Sequence, residues 1–283
     1  MKYHFIQDHQ SNYPVTILCR VMTVSRSAYY DWRRSHTKII SSQTWQLYQR
    51  MKALFAESRS SLGSRQMMKQ LRKEGHTIGR YRVRSLMKKL ALVVKRKLRF
   101  VLTTDSKHSH PVAENLLNRQ FNPAQPNQVW TTDITYIWTL QGWLYLAVVI
   151  DLFSRRIVGW YLDKQMTQSL VARALLMAIN LRNPPIGLLH HSDRGSQYAS
   201  KAYQYLLTQQ GMVCSMSRRG NCWDNVPTER FFSSIKREWL TGNIYQTRDT
   251  AIADVQSYIN YYNSRRLHTT IADMTPIEFE KYA

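Results

Sequence analysis

The chain has 283 residues with 40 Lys+Arg against 18 Asp+Glu, a formal net charge of +22 and a pI near 10.1. Hydrophobic residues at 43% and aromatics at 12% supply a sizeable core and exclude disorder over the whole chain; no apolar run approaches the roughly 18 residues of a membrane span, and His4, Gln7 and Asp8 break the apolar region a signal peptide would need. Three scattered cysteines, Cys19, Cys214 and Cys222, exclude a disulfide framework and a four-ligand zinc site, and they point to a reducing, cytoplasmic setting.

Residues 1–40 read as short helices. Val15–Val21 is one, and Ser25 is placed to cap another over Arg26–Arg33. Two short helices joined by a tight turn have helix-turn-helix proportions. Residues 41–100 read as a basic helical DNA-binding domain. Ser64 is placed to cap a helix over Arg65–Glu74, with Gly75 as its stop. The next helix, from Arg80 to about Leu90, sets Val83, Leu86, Met87 and Leu90 on one face. Arg80, Arg84 and Lys88 stack at spacing four on another. That basic face fits a nucleic-acid groove and fits a solvated surface equally well. Lys95, Arg96, Lys97 and Arg99 extend the basic run.

The charge is uneven along the chain. Residues 1–110 hold 23 Lys+Arg and 5 Asp+Glu, whereas residues 111–283 hold 17 and 13. Such an arrangement marks a polyanion-binding front part followed by a more ordinary globular part. Charge alone does not choose between DNA, RNA and an anionic membrane surface. Residues 101–128 carry Pro111, Pro123 and Pro126 without a clear period and read as a linker.

From residue 129 the pattern becomes strand-like. Val129–Trp138 is rich in β-branched and aromatic residues, Gln141-Gly142 offers a turn, and Trp143–Asp151 and Ile157–Leu162 complete an antiparallel meander. A helix over Thr167–Leu181, a strand over Gly187–His190, a helix from about Ser200 to Gln210 and a strand over Met212–Met216 follow. That order predicts an α/β fold with a mixed five-stranded sheet and flanking helices over residues 129–283. Two long helices, about Val226–Leu240 and Thr247–Ser264, close the chain.

In so basic a protein the carboxylates near strand ends are the informative ones. Asp133 lies inside the first strand, where an acidic residue is unfavourable without a partner. Asp193 follows the fourth strand, at the end where sites gather in such sheets. Glu229 falls in the first turn of the next long helix, after Asp224 and Asn225 as cap candidates and Pro227. If the first and fourth strands are neighbours, the three converge, and three carboxylates at one point call for a cation. Oxygen ligands select Mg²⁺, with Mn²⁺ as a substitute, and such a cluster can hold two ions. Each residue also has a plainer role open to it: Asp133 as a satisfied polar group, Asp193 as a turn former before Gly195, Glu229 as a helix-dipole charge. His190 and His191 adjoin Asp193, where a place near phosphate is open to them, but a strand-end histidine is more often structural. Arg218, Arg219 and Asn221 precede the helix of Glu229 and are candidate DNA contacts.

These stretches resemble the DDE-type insertion-sequence transposases with a retroviral-integrase-like core, specifically the second-frame (OrfB) product of two-frame bacterial elements. The matching residues run Trp130-Thr-Thr-Asp-Ile-Thr-Tyr136, Ile150 to Trp160, His191-Ser-Asp-Arg-Gly-Ser-Gln-Tyr198, Ser217 to Asn225, and Glu229 to Glu238. Asp193 and Glu229 are 35 residues apart, counted between them, as this family keeps them. The tail Tyr258-Ile-Asn-Tyr-Tyr-Asn263 and the front segment from Leu62 to Met87 fit too. Val226 departs from the family, which usually has alanine there. The resemblance implies an RNase H-like core in which Asp133, Asp193 and Glu229 are catalytic and hold two Mg²⁺ ions without zinc. Lys236, seven residues after Glu229, is then a DNA contact. The implied reaction is cleavage and strand transfer at element ends by direct transesterification. The implied partners are the terminal inverted repeats, target DNA, further copies of the chain in a synaptic complex, and an upstream-frame (OrfA) protein; no membrane is involved. The implied location is the bacterial cytoplasm, at the nucleoid when bound to DNA. A DNA-binding regulator and a nuclease that hydrolyses without joining are the competing readings.

Overall fold

The β-branched and aromatic run after residue 128 forms the longest strand, β1 (Val129–Thr139), and this strand becomes the centre of the sheet. The computed structural model describes residues 1–34, 40–94, 112–218 and 221–282, the side chain of Cys222 excepted. Around β1 stand β2 (Gly142–Asp151), β3 (Ile157–Asp163), β4 (Leu189–Ser192) and β5 (Val213–Met216), in the order β3-β2-β1-β4-β5. β1, β2 and β3 form an antiparallel meander, while β4 runs parallel to β1 and to β5. The mixed five-stranded sheet is therefore as expected. The fourth strand sits two residues later than its sequence signal, so that His191 and Ser192 lie inside it.

The chain divides into two units, Met1–Arg50 and Met51–Ala283. In the first, α1 (Lys2–His9), α2 (Val15–Val21) and α3 (Arg26–Arg34) pack around Ile6, Leu18, Cys19 and Tyr29. Ser25 caps α3 as expected, its hydroxyl accepting the Ala28 N–H at 3.1 Å. The helix α4 (Ser42–Glu57) runs across the division and was not among the expected elements.

In the second unit, α5 (Ser64–Lys73) begins at Gly63 rather than being capped by the Ser64 side chain, and Gly75 ends it at a φ of +88°. On α6 (Arg80–Lys89), Val83 and Met87 are buried, and Arg80, Arg84 and Lys88 are exposed. Residues 114–117 lie against β5, whereas Asn122 and Asn127 reach Arg155 and Asp151 at the turn between β2 and β3. The Ser215 hydroxyl accepts the Leu116 and Leu117 N–H groups at 2.9 and 3.3 Å, and Leu117 is buried.

Alternate residues of β2 feed two cores. Leu146, Val148 and Ile150 face α10 (Val226–Ile235) and α11 (Arg248–Ser264). Ala147 and Val149 face α7 (Gln168–Arg182), α8 (Ser196–Ala199) and α9 (Lys201–Gln209). Gly159 in β3 lets α7 approach closely, because a Cβ there would come within 2.2 Å of the Ala174 carbonyl oxygen. The last helix, α12 (Pro276–Tyr282), is fastened by Glu280, whose carboxylate accepts from Arg156, Arg182 and Ser154.

Candidate active site

Parallel pairing of β1 with β4 sets the C-terminal end of β4 beside the middle of β1, and this brings Asp193 towards Asp133. Asp133 accepts the N–H of Ile134 at 2.7 Å, and Asp193 accepts that of Gly195 at 2.9 Å. Burial pushes the Asp133 carboxyl well above its ordinary range. The Asp193 charge and then that of Glu229 push it further, against the Ile134 N–H and the Lys236 ammonium. Glu229, half-buried in the first turn of α10, is also raised, by burial. Pro227 in that turn is tolerated because no intrahelical N–H is lost there.

A set of buried hydroxyl and amide groups fixes α10 against β1. The Thr228 hydroxyl lies 2.9 Å from Thr131 Oγ1 and 2.9 Å from Asn225 Oδ1, and Asn225 Nδ2 donates to the Thr132 carbonyl at 3.1 Å. Thr132 Oγ1 lies 3.2 Å from the Tyr198 hydroxyl, whose ionisation is opposed by burial and by Asp133 and Asp193. Tyr198, Asn225 and Thr228 are thus parts of the site that the sequence reading did not single out. No local signal marks them, for Tyr198 stands among Ser196, Gln197 and Ser200, and Thr228 beside Glu229 and Arg230.

Lys236 begins a π-helical turn (Lys236–Leu240) that continues α10. Its ammonium sits 4.8 Å from the centre of the Tyr136 ring. Burial lowers its proton affinity while Asp133 raises it. Tyr136 is edge-on to Trp143 as well. His190 and His191 are fully buried in β4 and lean on Tyr203, Ser215 and Ser217, with proton affinities lowered by burial to about 3 and about 4. Both are therefore neutral packing groups at ordinary pH.

The loop before α10 is tied down by Asp224, which is fully buried. It accepts from the Arg218 backbone and guanidinium, from Arg119 Nε at 3.0 Å and from Asn115 Nδ2 at 2.9 Å, and these donors hold its carboxyl far below the usual range. Asn221 accepts from Arg119 and from the Trp223 N–H. Arg218 and Asn221 thus have structural partners within the chain, and Arg219 lies outside the described residues. Arg80, Arg84 and Lys88 stand on α6 and are not drawn to the carboxylates.

Asp133 in β1 and Asp193 just past β4 lie side by side on neighbouring interior strands, and the donor chemistry of that pair, two mutually repelling carboxylates, fits a divalent cation. Among the described residues no three His, Cys, Asp or Glu side chains stand close enough together to hold a metal ion.

Residues 123–222 and residues 210–276 match two family models, each described as "Integrase core domain", and residues 43–100 match a third, "HTH-like domain". The "Insertion element IS600 uncharacterized 31 kDa protein" of Shigella sonnei is 41% identical over 267 residues, 94% of this chain and 98% of that one. The "Transposase InsF for insertion sequence IS3A" of Escherichia coli (strain K12) is 38% identical over 283 residues, 99% of this chain and 98% of that one. A chain in a solved simian T-cell lymphotropic virus intasome is 19% identical with a TM-score of 0.49, over 72% of this chain and 68% of that one.

Proposed function

The chain belongs to the family of the IS3 insertion-sequence transposases and is a DNA transposase, and from this premise we propose that Asp133, Asp193 and Glu229 are its catalytic and metal-holding carboxylates. One observation carries the reading: the parallel register of β1 and β4, with Thr131 opposite His191, brings Asp193 alongside Asp133 on neighbouring central strands, and the charge of Glu229 acts on Asp133 as well. Negative charge gathered in this way is relieved by a cation and is costly without one. Asp133 and Asp193 are the first two ligands; Glu229, which does not complete a three-ligand group with them in the structure, is the third when an ion is bound, carried on the helix that Thr228 and Asn225 pin to β1.

Mg²⁺ when bound, or Mn²⁺ in its place, supplies charge neutralisation at phosphorus, and a pair of ions suits in-line displacement. The chain's own groups orient the DNA. Lys236, braced over Tyr136, faces the scissile phosphate from the carboxylate side. In cleavage, a water oxygen forms the new bond to phosphorus and the element's 3′-oxygen leaves with a proton. In joining, that 3′-hydroxyl attacks a target phosphodiester, and the target's 3′-oxygen leaves in its turn. No covalent bond to the protein is required.

We assign residues 41–100 to a DNA-binding domain, with Arg80, Arg84 and Lys88 on phosphates, and residues 129–283 to the catalytic core. Arg218 and Asn221 keep their loop in shape and present their remaining polar edges to DNA, joined by Arg219 on the strength of its sequence position. Synapsis of terminal repeats with target DNA requires several copies of the chain, helped by an upstream-frame protein. No described helix is long and apolar enough to cross a membrane, and the cytoplasm, at the nucleoid when DNA is bound, is the expected location.

Cleavage and joining of a labelled element end, with wild type against Asp193→Asn, tests the assignment. We expect loss of both reactions with DNA affinity retained. Joining that survives the substitution overturns it.

A further inference from the structure

A cavity of about 680 Å³ lies on another side of α10, away from the carboxylate edge, and its wall is unusual in composition. Arg155, Arg230, Arg237 and Arg266 line it, with no Asp or Glu among its lining residues. Arg266 and Arg237 are held by one buried carboxylate, Glu238, at 2.8, 2.9 and 3.1 Å. That single charge is shared; among the described residues neither Arg155 nor Arg230 forms an ion pair with a carboxylate, although the Asp151 charge acts on Arg155 from further off. Arg155 donates one Nη2 bond to Asn122 at 2.7 Å, while its Nη1 is buried with no acceptor. Arg230 is exposed at the rim. Gln66 Oε1, also on the wall, is buried without a donor.

A buried donor without an acceptor costs on the order of 1–3 kcal/mol, and four guanidinium groups repel one another. The missing group is therefore an anion that also offers a donor. Trp223 stands at the same pocket with 66% of its surface exposed. Arginine forks for a phosphate, an acceptor for a sugar hydroxyl or base amino group, and an open indole ring together match a nucleotide. The position agrees. Arg230 and Arg237 directly follow Glu229 and Lys236, so each lies about 100° further round the helix, and α10 is a common wall between the carboxylates and this cavity.

We propose that this cavity is a second DNA-strand site, which takes a phosphodiester on Arg155 and Arg230 and stacks an unpaired base on Trp223. The inference takes from the preceding reading only that the chain handles DNA. It places no residue of the cavity in the chemistry.

The test uses the full chain labelled with 5-fluorotryptophan, with the Trp223 resonance assigned through Trp223→Phe and titrated with a single-stranded tetranucleotide. A saturable shift of that resonance is expected in wild type and in Asp193→Asn alike, with half-saturation about tenfold or more weaker in Arg230→Gln and in Arg155→Gln. Arg230 is exposed, so its variant folds even if the Arg155 variant does not. An unmoved Trp223 resonance, an equal shift in Arg230→Gln, or tighter binding of an acidic peptide than of the tetranucleotide overturns the proposal. None of these results bears on whether Asp193 is catalytic, which the joining assay decides separately.

Discussion

Replacing Thr228 by valine removes one buried hydroxyl at the point where α10 meets β1 while preserving shape. That hydroxyl lies 2.9 Å from Thr131 Oγ1 and 2.9 Å from Asn225 Oδ1, and all three residues are buried. The amide oxygen can only accept, so the hydroxyl proton points to Asn225. The loss comprises a net hydrogen bond of about 1 kcal/mol and a buried oxygen left without its donor, for a total of roughly 2–3 kcal/mol. In a unit of this size each kcal/mol moves the melting temperature by about 2–4 °C, which gives a drop of roughly 5–10 °C. Thr228→Ser keeps the hydroxyl and loses one buried methyl, about 1 kcal/mol. Circular dichroism melts of the two variants measure the difference. At 25 °C both remain folded, so strand joining reports the placement of Glu229, and we expect it to fall in the valine variant and to persist in the serine one. A valine variant that melts with wild type, or one that melts lower yet joins DNA at the wild-type rate, refutes the reasoning.

Gly159→Ala drives a Cβ into the Ala174 carbonyl, and we expect a loss of about 1–3 kcal/mol or more in urea unfolding; a neutral result means that β3 and α7 can part freely. The raised Asp133 carboxyl contributes stability below the ordinary aspartate value of 3.8, and this is lost as pH rises through the folded value. Metal-free Asp133→Asn, which cannot ionise, should therefore melt above wild type near neutral pH, by a margin that closes as pH falls towards 4. A margin independent of pH contradicts that origin. Asp224, held low by its donors, has the opposite sign: its contribution is present above 3.8 and lost in stronger acid. Asp224→Asn frees the loop before α10, and limited trypsinolysis should cut faster at Arg218; an unchanged digestion rate argues that the loop is held by other contacts.

The strands and the carboxylates were legible because each has a local signature. Val129–Thr139 carries a β-branched and aromatic run, and Asp133 stands out within it as a charge on a strand. The neighbourhood of β1 and β4 is a long-range pairing that order alone leaves open, and convergence of Asp133 with Asp193 depended on it. Elements defined by tertiary contact were less visible. α12 is fastened by Glu280 to Arg156 and Arg182, more than ninety residues away. α4 does carry the helical period, in Leu47, Met51, Leu54 and Phe55, but with Arg50 and Lys52 as its basic residues it lacks the dense basic run that marks α5 and α6. Arg218 and Asn221 read as surface groups because Asp224, the residue that organises them, reads locally as a cap candidate. Burial of its carboxylate is a property of the folded loop.

Electron paramagnetic resonance of Mn²⁺ titrated into the purified chain tests the central claim most directly, because it needs neither element ends nor a partner protein. The account predicts saturable binding in wild type, loss of it in both Asp133→Asn and Asp193→Asn, and weakening in Glu229→Gln. Equal Mn²⁺ binding by all four proteins would contradict it.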